Sequence, residues 1–201
     1  MGRTKESGEK MREATHEKIL SAAITLFAER GCSATSAKDI ADAAGVSVGL
    51  MYHYYKTKEE VFGGIVRDAL GEMNELISML ENEKCPKAGI EMLMKEISNE
   101  FAGGPEFAQW MVILSHPMPK KADFEWMDGF MNYHRNLTEG IAKLIKRGQK
   151  TGDFRDGNPM QLAQFVVGTF QGLCNLQLIL KDDFHPPSAE MLTMAIIKEA
   201  K

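Results

Sequence analysis

Cysteine is scarce in this chain. There are three, Cys32, Cys85 and Cys174, odd in number, far apart and in no C-x-x-C spacing. That excludes a disulfide-stapled secreted scaffold and fits a reducing cytoplasm. His16, His53, His116, His134 and His185 show neither H-E-x-x-H nor Cys/His ligand spacing, so no metal site is expected. A nucleophile elbow, a phosphate-cradling glycine loop and paired carboxylates on one helical face are also missing, which speaks against an enzyme. No apolar run approaches the length of about eighteen residues that a membrane span needs. The opening MGRTKESGEKMREATHEK is too polar for a signal peptide. No stretch reads as a strand, and there are no repeats or low-complexity segments. The expectation is a soluble, cytoplasmic, cofactor-free protein.

What remains is helix. Ile19, Ala22, Ala23, Leu26 and Phe27 make a stripe at i, i+3, i+4, i+7 spacing, and Gly31 stops that helix. Thr35 or Ser36 starts a short second helix with Asp39 in its first turn. Ala44-Gly45-Val46 turns the chain, because Gly45 tolerates positive φ, and Ser47 caps a third helix. Two short helices joined by a glycine turn are the pattern of a helix-turn-helix, whose second helix enters the major groove. That helix carries Tyr52, His53, Tyr54 and Tyr55 in a row, and so many polar rings in one turn cannot all face a core.

Thr57 with Glu60 makes a T-x-x-E box that opens a long helix from about Lys58 to Glu81. Further helices are expected from Pro86, from Pro105, over about 122–149, from Asn158-Pro159 to about Leu180, and over about 189–200. The fold class is all-α, about nine helices. A head of three helices (13–57) follows a flexible arm (1–12), and the long fourth helix joins it to a ligand-binding and dimerisation domain (58–201).

Net charge is −4, and the excess lies in the second part: residues 1–60 hold nine basic and nine acidic side chains. Phosphate affinity depends on a local face rather than the total, so a neutral head permits DNA binding. The fourteen methionines are by default core fillers, yet methionine also suits cavities that accept several shapes. Together with the aromatic residues of the central helices they point to an apolar pocket formed by Phe107, Trp110, Met111, Met127, Phe130, His134 and Phe170. For His134 the alternative is a satisfied interior histidine. Gly168 and Gly172, four apart on the eighth helix, allow two copies of that helix to approach closely in a dimer.

The stretch from Ala14 to Phe62, with its LFAERG, the DIADAAGVS turn and the YHYYKTKEEVF run, resembles the tetracycline-repressor (TetR/AcrR) family across the N-terminal third. The rest shares looser habits, such as the G-D-F loop at Gly152 to Phe154. The resemblance implies that Thr35 and Ser36 cap the second helix and touch a phosphate. It places Ser47, Val48, Gly49, Leu50, Tyr52 and His53 along the groove, and Tyr54 with Lys56 or Lys58 on the DNA backbone. Val48 and Leu50 depart from the basic and hydroxylated residues common in the family and offer thymine-methyl contacts instead. Tyr55 replaces the usual phenylalanine and adds a hydroxyl at the edge of the core.

The implied partners are a palindromic double-stranded operator, a small apolar or aromatic effector and a second copy of the chain. The implied function is ligand-responsive regulation, most simply repression. The competing reading is a DNA-bound adaptor that regulates a protein partner without any small molecule; it predicts a filled core where the first predicts a cavity.

Overall fold

The computed structural model describes the backbone of residues 2–115 and 126–198, and the side chains of these apart from 2–6, 72–73, 76 and 126–131. The described residues form α1 (Gly2–Ala34), α2 (Ala37–Ala44), α3 (Val48–Tyr54), α4 (Lys58–Asn82), α5 (Pro86–Gly103), α6 (Glu106–Ser115), α7 (Trp126–Thr151), α8 (Pro159–Leu180) and α9 (Ala189–Thr193), with a 3-10 turn at Lys181–Asp183. No strand occurs among them.

Local chemistry sets most of these boundaries. Gly31, at φ 75 and ψ 162, ends the regular part of α1. Ser36 and Asp39 form a reciprocal box at the start of α2: Asp39 N–H donates to Ser36 Oγ at 3.1 Å and Ser36 N–H donates to the Asp39 carboxylate at 2.8 Å. Gly45 closes α2 in the left-handed region (φ 67, ψ 33), and Val46 N–H returns to the Ala41 carbonyl at 3.0 Å. Ser47 Oγ then accepts the N–H of Leu50 at 3.1 Å and starts α3. The Thr57 cap differs from a full box, because the Glu60 carboxylate accepts the N–H of Lys56 at 2.6 Å.

The structure departs from expectation in three places. The helix reaches back to Gly2, through the stretch expected as an arm. The last helix stops at Thr193 because the tail turns and pairs with the G-D-F loop. There Arg155 N–H donates to Ile196 O at 2.7 Å and Lys198 N–H to Asp153 O at 2.9 Å, leaving Phe154 and Ile197 as an isolated antiparallel bridge. Phe154 is wholly buried with its ring laid over Gly148, where any Cβ would collide with it. Finally, one helix, Pro159–Asp183, is long and apolar enough by composition to cross a membrane. Only 22% of its apolar window is buried within the protomer.

Two apolar clusters connect the head to the body and the body to the tail. The first joins Phe27, Ile40 and Met51 of the head to Val61 and Ile65 of α4, and continues into Ile113, Leu114 and Tyr133 of α6 and α7. The second gathers Leu80, Ile90, Leu144, Phe154 and Ile196 in the far half of the molecule. Burying one such side chain is worth about 1.5–3 kcal/mol, so neither cluster is easily split. α7 runs beside α4 in the same direction. Gly140 leaves room for Ile77, Lys143 pairs with Glu81 at 2.9 Å, and Arg147 donates to the carbonyls of Glu81 and Glu83 at the end of α4.

Candidate nucleic-acid interface and effector cavity

The head turns one face of α3 inward and leaves the other bare. Met51 is fully buried, whereas Ser47, Gly49, Leu50, Tyr52 and His53 are exposed, Tyr52 by 51%. At 3.6 residues per turn these positions form a continuous outward strip. Val48 is different: it is half-buried and packs on the head core, which limits its reach into a groove. The rings behind the strip brace α3 against α1. Tyr54 O–H donates to the Arg12 carbonyl at 3.2 Å. Tyr55 O–H meets His16 Nε2 at 2.6 Å, and the two rings stack with centroids 5.6 Å apart. Tyr55 is thus the core-edge residue expected, and burial pushes its phenol up to about 12.

Of the groups implied as phosphate contacts, three are occupied elsewhere, the Tyr54 hydroxyl on Arg12 being the first. Thr35 is buried, its hydroxyl donating to the carbonyls of Gly31 at 2.9 Å and Leu26 at 3.4 Å, so it holds the α1–α2 corner instead of facing a phosphate. Lys58 reaches back to the carbonyls of Cys32 and Thr35, both at 2.7 Å, and of Ser33 at 3.3 Å. An ammonium there satisfies the open end of α1. Ser36 and Lys56 remain exposed. The Ser36 hydroxyl donates to Asp39 at 2.7 Å, and this bond with the Ser36 N–H holds the Asp39 carboxyl below its ordinary value.

In the body, Phe107, Met111 and Phe170 line an apolar cavity of about 70 Å³ with Leu80, Leu137 and Val167. A larger cleft of about 460 Å³ lies outside it, walled by Trp110 and Met79 and rimmed by Glu96, Glu100 and Glu106. Leu93, Ile97, Phe107 and Met111 belong to both, so they form the partition between cleft and cavity. Four of the seven pocket residues named from the sequence are therefore brought together. The side chains of Met127 and Phe130 lie outside the described residues. His134 lines neither space: its Nε2 lies 2.8 Å from the Leu114 carbonyl, which can only accept, so this nitrogen carries the proton and ties α7 to the end of α6.

Sequence reasoning missed Tyr133, which also lines the cavity. It is 1% exposed and its hydroxyl has no hydrogen-bond partner among the described residues. The signal was its spacing, since Tyr133, Leu137 and Ile141 follow one another at i, i+4, i+8.

Gly168 and Gly172 are exposed on α8, and a Cβ at either would meet nothing within 4 Å. They stand in one stripe with Phe165, Leu176 and Ile179, which are 59%, 46% and 73% exposed. Spacings of three and four put all five on one helical face.

Known proteins agree with this layout. Residues 19–65 match the model described as bacterial regulatory proteins, tetR family. The transcriptional repressor KstR2 of Mycolicibacterium smegmatis is 44% identical over 140 residues, covering 69% of this chain and 67% of that protein. KstR2 of Rhodococcus jostii is 31% identical over 150 residues, covering 72% and 70%. The structure of the ketosteroid transcriptional regulator KstR2 of Mycobacterium tuberculosis superposes with a TM-score of 0.72 over 92% of this chain and 95% of that one. Its identity of 21% makes that last likeness one of fold.

Proposed function

Because the chain belongs to the TetR family of bacterial transcriptional regulators, helix-turn-helix proteins that are not enzymes, we propose that it is a ligand-responsive repressor. It binds a palindromic operator in the cytoplasm as a homodimer and is released by a small, largely apolar effector. Each α3 lays the Ser47–His53 strip in a major groove. The two copies reach half-sites separated by about 34–36 Å or a multiple of that. The dimer forms through the bare α8 stripe, which gives an apolar helix the cover it lacks in one protomer.

The observation that carries this reading is the continuity of the first apolar cluster. Tyr133 lines the cavity and also belongs to the cluster that contains Phe27 and Met51 of the head. Leu114 of the same cluster is tied to α7 by His134. An occupant that displaces Phe107 or Met111 therefore shifts α6, which packs on α1, and with α4 it alters the spacing of the two heads. Coupling of about 1–3 kcal/mol suffices for a 5–150-fold loss of operator affinity. The apolar cleft of about 460 Å³ supports the effector reading over an adaptor acting through a filled core, with the cavity of about 70 Å³ as its inner end.

The test has two stages: select the operator from random duplexes, then titrate it by fluorescence anisotropy with and without candidate apolar compounds. The expected result is one operator per dimer and weaker binding with a compound that occupies the cavity. Unchanged operator affinity with the cavity shown to be occupied would overturn the release mechanism.

A further inference from the structure

The cleft of about 460 Å³ opens between α4, α5 and α6. Trp110 and Phe107 of α6 and Ile97 of α5 wall it, and Met79 of α4 and Met92 of α5 flank it. Both methionines are exposed large apolar side chains, so thioether surface lies bare on two sides of a concave, aromatic-walled site. Apolar surface left open in this way marks a place that an apolar body covers.

The charge around that surface is of one sign. Glu96 and Glu100 stand one turn apart on α5, Glu106 opens α6 beyond the Gly104 corner, and all three line the cleft. They are exposed, and none of them enters an ion pair among the described residues. No lysine, arginine or histidine lines the cleft among those residues; Lys95, beside Glu96 in sequence, is exposed but does not line it. Like charges four apart on a helix repel one another, and Glu106 adds a third. An anion entering here meets repulsion from all three. A neutral molecule takes water from the carboxylates and returns nothing. A cation gains twice, from the carboxylates and from the electron-rich face of an indole.

We propose that this cleft takes a lipophilic cation, an aromatic or alkyl body carrying one permanent positive charge of the onium type. Glu96, Glu100 and Glu106 hold the charge, and the body covers Trp110, Met79 and Met92. This rests on the reading of the cleft as the effector site and adds the charge of the molecule it takes. Phe107 and Met111 separate the cleft from the inner cavity, so the body of the cation bears on the partition between them.

Two probes of nearly one shape and opposite charge isolate the effect: tetraphenylphosphonium and tetraphenylborate. Each is titrated by calorimetry, in sodium buffer, into the full-length protein and into the triple variant Glu96→Gln, Glu100→Gln, Glu106→Gln. The substitutions keep side-chain size at exposed positions, and an unchanged urea midpoint verifies the fold. The phosphonium is expected to bind the wild type and the borate to bind it far more weakly. The variant should lose phosphonium affinity by about threefold for each carboxylate removed, and added salt should weaken phosphonium binding to the wild type. If the phosphonium binds wild type and variant alike, or the borate binds as tightly, the acidic rim does not select the ligand. The proposal then fails while the effector cleft stands. If neither probe binds, the proposal fails, and the operator titration with uncharged compounds decides the effector reading separately.

Discussion

The Lys58 ammonium lies 2.7 Å from the Thr35 carbonyl oxygen, so the first residue of α4 closes the corner where α1 meets α2. Two further carbonyls, of Cys32 and Ser33, converge on the same nitrogen. This cation stabilises the head from within and is separated in role from Lys56, two residues earlier and exposed.

Lys58→Met should therefore lower stability by roughly 1–2 kcal/mol, the worth of a charged donor at a helix end, and leave the salt dependence of operator binding unchanged. Lys56→Met should do the reverse, keeping the urea midpoint and reducing the slope of log K against log salt by about one for each phosphate no longer neutralised. Chemical denaturation and anisotropy at several salt concentrations separate the two. A lowered salt slope in Lys58→Met would return it to the DNA backbone.

Tyr52 and His53 contribute little to folding, since both are exposed and the neighbouring Met51 does the packing. Tyr52→Ala and His53→Ala should each weaken specific operator binding by about 1–3 kcal/mol at an unchanged denaturation midpoint. Equal binding of a specific and a scrambled duplex to Tyr52→Ala would confirm it as a reader of sequence; full retention of specificity would remove it from the strip.

The α8 stripe gives a test of assembly independent of DNA. Gly172→Leu meets no atom of its own protomer at Cβ, so the monomer should fold normally and gain slightly in helix propensity. Across a two-fold axis the same side chain holds the helices apart. Light scattering should report a shift from dimer to monomer, and likewise for Ile179→Glu. Dimers of undiminished strength in both variants would place the interface elsewhere.

Alkaline pH should weaken body and head together, since burial also pushes Cys32 of the head up to about 11 and Tyr55 up to about 12. Burial pushes the Cys174 thiol from 9.0 to about 12, and burial followed by nearby Cys174 pushes the Tyr133 phenol from 10.0 to about 12. Both groups are thus harder to ionise when folded than when unfolded. Their stabilisation is complete below about pH 9 and is lost as pH climbs from there through 12. From about pH 8 to about pH 10.5 the Cys174 contribution amounts to roughly 2 kcal/mol. Urea midpoints at the two pH values should fall less for Cys174→Ala than for wild type.

Much of the head was legible in the sequence, for a reason the caps make plain. Ser36, Gly45, Ser47 and Thr57 each act on backbone within a few residues, so a local string carries the whole interaction. The hold of Lys58 on the end of α1 was not legible because its partners lie more than twenty positions earlier, and nothing in the local string separates a helix-closing lysine from a phosphate-binding one. The early end of α9 was missed for the same kind of reason, as the pairing of Ile197 with Phe154 spans two helices and a loop. In the pocket, Phe107 and Met111 followed from composition and spacing. Tyr133 did not, because a tyrosine on an amphipathic helix looks like an ordinary border residue until its hydroxyl is found sealed away.

Val61 and Ile65 of α4, together with Ile113 and Leu114 of α6, complete the interior of the DNA-reading unit. That unit is consequently no cassette: excised at Thr57 it would lose a wall of its own interior, and grafted onto another body it would need a matching surface. Evolution of new operator sequences can proceed on the outer strip of α3 alone, whereas a change in effector must be negotiated with residues that also hold the reader upright.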